Sequence, residues 1–133
     1  MAKKKFSFSE IEIGKNFSSR ISTHVDWEPN TNIIEAGDLL IIEIELPGVD
    51  KDDVSIVMQG ESELIIRGTK HQPRLHEPQV TYYLFEREFG TFYKRIIIDF
   101  PLDSAKIETN MKEGVLMIQI PKKKSAKVSV DIK

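Results

Sequence analysis

Cysteine is absent from the 133 residues. That excludes disulfides, thiolate metal sites and thiol nucleophiles, and it fits a reducing compartment. Long hydrophobic runs are absent too. The longest, Leu39–Ile42 and Val115–Ile118, are far too short to cross a bilayer, so no membrane partner is expected. The basic start Met1-Ala2-Lys3-Lys4-Lys5 leads into no apolar segment of the kind a secretory signal needs, and the expected location is cytoplasmic. Neither sign of charge dominates: 19 basic against 21 acidic residues gives 19 − 21 = −2. A nucleic-acid binder normally needs a clear basic excess, so no nucleic-acid partner is expected.

Signatures of chemistry are equally scarce. No Gly-x-x-x-x-Gly-Lys-Ser/Thr loop is present to cradle phosphates, and no serine sits in a Gly-x-Ser-x-Gly elbow. The three histidines are His24, His71 and His76; the last two lie in a loop near Glu77 without zinc-type spacing, and read as solvated. Glu43 with Glu45, and Glu86 with Glu88, share strand faces as a glycosidase pair might. Beside lysine and arginine on a half-exposed strand they read as solvent-facing charges. The chain is therefore expected to be no enzyme and to carry no cofactor and no metal.

What is present is a packable composition, 40% apolar and 30% charged, at a length suited to one domain with tails. Residues 1–28 form an N-terminal arm, 29–122 a domain and 123–133 a tail. In the arm Phe6, Phe8 and Phe17 lie among Ser, Lys and Asn. Ile13, Phe17, Ile21 and Val25 recur every fourth residue, a helical stripe that Gly14 weakens by about 1 kcal/mol. The arm reads as apolar but weakly structured and flexible, with Trp27 and Pro29 at its junction.

From Asn32 the period changes to two. Leu40, Ile42, Ile44 and Leu46 alternate with Glu43 and Glu45 until Pro47-Gly48. Val54, Ile56 and Met58 repeat the alternation, Gly60 to Ser62 turn it, and Leu64 and Ile66 continue to Gly68. Residues 69–79, with two prolines, read as a long loop. Residues 80–88 read as a strand rich in aromatic and β-branched side chains. Phe92–Phe100 reads as another, stopped by Pro101. Ile107–Met111 and Val115–Ile120 flank a Glu113-Gly114 turn. Short strands between turn signals, with no convincing helix, predict an all-β, immunoglobulin-like antiparallel β-sandwich.

The order and spacing of these motifs resemble the α-crystallin domain of small heat-shock proteins. Pro29 to Glu35 is similar to the opening segment of that family, with Asn32 where Asp is usual. Leu46-Pro47-Gly48-Val49 with Asp53-Val54, then Leu64-Ile65-Ile66-Arg67-Gly68, then Glu86-Arg87 with Gly90-x-Phe92 follow in register. Thr109 to Leu116 corresponds to Ala-x-x-x-Asn-Gly-Val-Leu, with Thr109 for Ala and Glu113 for Asn, and Ile120-Pro121-Lys122 to the closing Leu-Pro-Lys. Lys94 stands where the family usually has Arg, which puts in question a buried ion pair built on a planar guanidinium.

The resemblance implies an ATP-independent holdase chaperone that captures unfolding client proteins. The long segment before the aromatic strand resembles the bacterial and plant branch. It implies a homodimer in which Tyr82, Tyr83, Leu84 and Glu86 lie beside Ile33 and Glu35 of the other subunit. The dimers assemble into larger homo-oligomers. Val128, Val130 and Ile132 supply a tail anchor, docking into a groove formed by Val54, Ile56, Met58, Ile107, Thr109 and Met111 of another dimer. Phe6, Phe8, Phe17 and Trp27 are the expected client-binding aromatics of the arm. The alternative reading is a co-chaperone-like sandwich that binds one folded partner. A sandwich hydrolase or carbohydrate binder is a third, with less to support it.

Overall fold

The computed structural model describes the backbone of residues 10–13 and, in full, residues 25–73, 79–124 and 129–133. Among the described residues eight strands form two four-stranded sheets. They are β1 (Glu10–Ile13), β2 (Thr31–Ala36), β3 (Leu39–Glu45), β4 (Val54–Gln59), β5 (Glu63–Lys70), β6 (Gly90–Ile98), β7 (Glu108–Lys112) and β8 (Val115–Pro121). One sheet runs β1-β6-β5-β4 and the other β2-β3-β8-β7. Every pairing is antiparallel except that of β1 with β6, which is parallel.

The period-two pattern builds the core directly, because alternate side chains leave opposite faces of a strand. Leu40, Ile42 and Ile44 of β3, Leu64 and Ile66 of β5, Phe92, Ile96 and Ile98 of β6, and Leu116, Ile118 and Ile120 of β8 are all buried between the sheets. Their neighbours along each strand face outward or lie half-buried.

Turn chemistry sets the connections. Glu113 and Gly114 both take positive φ, 53° and 75°, which makes the two-residue β7–β8 hairpin compatible with strand twist. A side chain at Gly114 would also press on Pro47, its Cβ falling 3.1 Å from the proline Cα. The Leu46 amide donates to the Gly114 carbonyl at 2.7 Å, so the Pro47-Gly48 break in β3 is pinned to this hairpin. Asp50 caps the 3-10 turn Lys51–Asp53, accepting from the Asp52 amide at 3.0 Å, and delivers the chain to β4.

Residues 80–88 carry the side chains of a strand but join neither of the chain's own two sheets among the described residues. Two other local expectations are corrected. The following strand starts at Gly90 and ends at Ile98. Of the fourfold stripe in the arm, Ile13 lies in strand β1, Val25 is buried in the sandwich, and Phe17 and Ile21 fall outside the described residues.

Candidate binding surfaces

A sandwich of this kind has four sheet edges, and each is a row of backbone groups able to pair with another chain. Edge strands β4 and β7 flank one open groove of about 380 Å3, lined by Lys51, Val54, Ile56, Thr109, Asn110, Met111 and Leu116. Four of the six expected groove residues, Val54, Ile56, Thr109 and Met111, therefore meet there. Met58 is half-buried against the core instead, and Ile107 lines the adjoining cleft with Leu39 and Gln119. In the tail Val130 is 79% and Ile132 100% exposed; Val128 lies outside the described residues.

The edge strand β2 half-buries Ile33 against the core and turns Ile34 outward. Glu35 accepts from the Lys122 ammonium. The segment after the loop is the largest contiguous apolar display among the described residues. Tyr83 is 97% exposed, with Leu84, Phe85, Tyr82 and Val80 exposed beside it. Contiguous exposed apolar side chains of this kind mark an interaction surface in a soluble protein. Tyr82 and Phe85 meet edge to face at 5.2 Å, Phe85 and Phe89 lie 6.1 Å apart, and Gln72 donates to the Tyr82 hydroxyl at 3.1 Å. With Pro73, Leu84, Glu86 and Arg87 they line a cleft of about 180 Å3.

Trp27 requires a correction. It is only 6% exposed and belongs to the hydrophobic core. Its indole N–H donates to the Gly90 carbonyl at 2.9 Å and its ring meets Phe92 edge to face at 5.5 Å. The Lys70 ammonium sits 5.4 Å above the ring and 5.8 Å from Phe89, and the Arg87 guanidinium lies 4.9 Å from Phe89. Asp26 accepts from both the amide and the hydroxyl of Thr91, at 2.8 and 3.0 Å. Gly90, at φ 107°, has no room for a side chain: a Cβ there would stand 2.3 Å from Asp26 Oδ2. The junction between arm and domain is thus clamped to the first residues of β6. Phe6, Phe8 and Phe17 lie outside the described residues.

Sequence reading missed this clamp, although one signal for it was present. Lys70 continues the inward register of Leu64, Ile66 and Gly68 on β5, so alternation alone turns it toward the interior. The same logic places Lys94 inward between Phe92 and Ile96, where it is only 7% exposed. Burial lowers its pKa, while the nearby Glu28 carboxylate acts the other way. Glu28 is shifted up, by desolvation first, with Lys94 opposing. Its Oε1 is shielded and has no hydrogen-bond partner. Where the family usually has Arg, Lys94 thus lies buried at the sandwich wall, with desolvation the larger influence on both it and Glu28 and their mutual attraction the smaller.

His71 reaches Asp53 at 3.3 Å on the surface; His24 and His76 are outside the described residues. Glu86 and Glu88 are both exposed and belong to no strand; Glu43 is half-buried and Glu45 exposed. Among the described residues no group of three potential metal ligands forms, and no helix is long and apolar enough to cross a membrane.

The described residues thus form a two-sheet sandwich with a displayed apolar segment and a groove between edge strands. Residues 32–133 match the Hsp20/alpha crystallin family. The chain belongs to that family, the small heat-shock proteins, whose general role is chaperoning. It is 30% identical over 131 residues to a 17.6 kDa class I heat shock protein 1 of Arabidopsis thaliana, covering 94% of this chain and 80% of that one. It is 32% identical over 123 residues to heat shock protein 16 of Schizosaccharomyces pombe, covering 89% and 85%. Among solved structures, heat shock protein 16.0 from Schizosaccharomyces pombe superposes with a TM-score of 0.67 at 32% identity, over 80% of this chain and 99% of that one. A small heat-shock protein from Xylella fastidiosa, described as having a distinct high-order structure, gives 0.65 at 27% identity, over 81% and 96%.

Proposed function

We propose that this chain is an ATP-independent holdase of the cytoplasm, which captures unfolding proteins and keeps their exposed strands and apolar surfaces from pairing with one another. The observation that carries the reading is a sandwich in which β2, β4 and β7 each pair on one side only among the described residues. Residues 1–28 act as the arm, 29–122 as the α-crystallin domain and 123–133 as the tail. Tyr82, Tyr83, Leu84 and Glu86 cross to a second subunit and pair with its β2 at Ile33 and Glu35, which hides an edge and an apolar strand together. Val130 and Ile132, with Val128, dock in the β4–β7 groove of a neighbouring dimer. Two branched side chains contribute about 3–6 kcal/mol before ordering costs, so one tail is weak and many together hold a larger homo-oligomer. Phe6, Phe8 and Phe17 offer clients an adaptable apolar surface.

The test is light scattering of a heat-labile enzyme warmed with and without the chain, with no nucleotide added. Suppressed scattering at equimolar ratio supports the holdase reading; unchanged scattering sinks it.

A further inference from the structure

Strand β6 is the longest among the described residues, nine residues from Gly90 to Ile98. Its inner edge is paired along its length with β5. Among the described residues its outer edge is covered in two pieces. At one end the Thr91 carbonyl accepts from the amides of Asp26 and Trp27, at 3.0 and 3.4 Å. At the other end the four residues of β1 lie parallel to it, with Glu10 opposite Arg95, Ile11 opposite Ile96, Glu12 opposite Ile97 and Ile13 opposite Ile98. No described strand pairs with Phe92–Lys94 on that side. β1 pairs with β6 alone.

The two pieces differ in strength. The Asp26–Trp27 piece is anchored by the buried indole, the ring contact with Phe92 and two carboxylate hydrogen bonds. The β1 piece is a four-residue parallel pairing at the end of a sheet, shorter than most strands and of the less stable ladder type. Short terminal pairings of this kind open at the low end of the local stability range. A nine-residue ladder offers more than twice the pairing length of the four-residue one that covers it.

We propose that the outer edge of β6 is a client-binding edge and that β1 is its displaceable cover. The occupant is an extended stretch of an unfolding polypeptide whose alternate residues are branched and apolar. That chemistry is read from the strand already seated there, which sets Ile11 and Ile13 opposite the buried Ile96 and Ile98. The acceptor supplies main-chain hydrogen bonds for affinity and the aliphatic flank of β6 for preference, as in strand addition generally. This inference rests on the holdase reading and assigns it a site distinct from the β2 edge and the β4–β7 groove. The cover and its occupant compete for one row of amides and carbonyls, so warming raises capacity by uncovering the edge.

The absence of native cysteine allows a clean test. Glu12→Cys with Ile97→Cys places two thiols at directly opposed positions, within the range a disulfide spans. Oxidation then locks β1 on β6, and a reductant frees it. Glu10→Cys with Ile97→Cys, out of register, is the control. The probe is a reduced, carboxymethylated globular protein, permanently unfolded and fluorescently labelled; its binding is read by anisotropy on warming, alongside scattering of a heat-labile enzyme and far-UV circular dichroism of both redox forms.

The expected result is disulfide formation in the in-register pair, a marked fall in probe binding in the oxidised form and recovery on reduction, with the fold unchanged. Equal binding by both forms overturns the edge assignment and leaves the holdase reading standing. Binding by neither form, with the tail intact or substituted, removes both. Failure of the in-register pair to cross-link overturns the cover itself. If the reduced form binds only when Val130→Ala and Ile132→Ala are added, the chain's own tail is the occupant and the client assignment falls.

Discussion

Replacing Trp27 separates two roles that an aromatic residue at an arm junction has. The structure makes it a core residue, 6% exposed, packed edge to face on Phe92 and hydrogen-bonded to the Gly90 carbonyl. Trp27→Ala removes a large buried ring, at about 3–5 kcal/mol for such truncations. It also leaves the Gly90 carbonyl without its indole donor, at about 1 kcal/mol or more. Trp27→Phe keeps most of the packing and loses the N–H, so its cost is about 1–2 kcal/mol. With a urea dependence of about 1–3 kcal/mol per molar for a small domain, Trp27→Ala lowers the unfolding midpoint on the order of 2 M. Far-UV circular dichroism is the readout, because Trp27 is the only tryptophan. Protein concentration is held constant, since assembly stabilises the folded subunit by mass action. If Trp27→Ala unfolds at the wild-type midpoint and loses only client protection, the residue is an exposed contact of the arm and the clamp described here is wrong.

Tyr83→Ser with Leu84→Ser removes the two most exposed apolar side chains of the displayed segment. It should leave the sandwich folded by circular dichroism and shift sedimentation toward the monomer; an unchanged sedimentation profile contradicts the strand-exchange contact. Val130→Ala with Ile132→Ala should delay elution in size-exclusion chromatography by shrinking the assembly, and an unchanged volume removes the tail anchor. Burial raises the Glu28 pKa above its ordinary 4.5, so the folded chain holds that proton more tightly than the unfolded chain. The wild type therefore gains stability relative to Glu28→Gln as pH falls through the raised value, with the gain complete below about 4.5. Urea unfolding at pH 7 and near pH 4.5 checks this, and a stability difference independent of pH contradicts the shielding of Glu28.

The sandwich was legible because its strands are half-buried and alternate cleanly. Leu40, Ile42 and Ile44 announce one inner face, and Leu116, Ile118 and Ile120 another. Turn positions were legible for a similar reason, since Glu113-Gly114 adopts the positive φ values that a tight hairpin needs. The segment 80–88 carries strand-forming side chains, yet among the described residues it joins neither sheet, because propensity does not say where a strand finds its neighbour. β1 was hidden by length: Ile11 and Ile13 alternate over four residues only, and a fourfold recurrence starting at Ile13 suggested a helix in the same stretch. Trp27, Lys70 and Phe89 come together from three separate elements, at 5.4 and 5.8 Å from the same ammonium. Periodicity within one segment carries no information about such a meeting. Where a charged residue kept the inward register, at Lys70 and Lys94, the alternation predicted burial more faithfully than residue type did.

The claim on which the rest depends is that the single sandwich is incomplete and closes its edges with other copies of itself. Native mass spectrometry of the full chain at micromolar concentration measures this directly. Dimers and larger even-numbered assemblies are the predicted species. A single monomeric species, unchanged across temperature and concentration, contradicts the account.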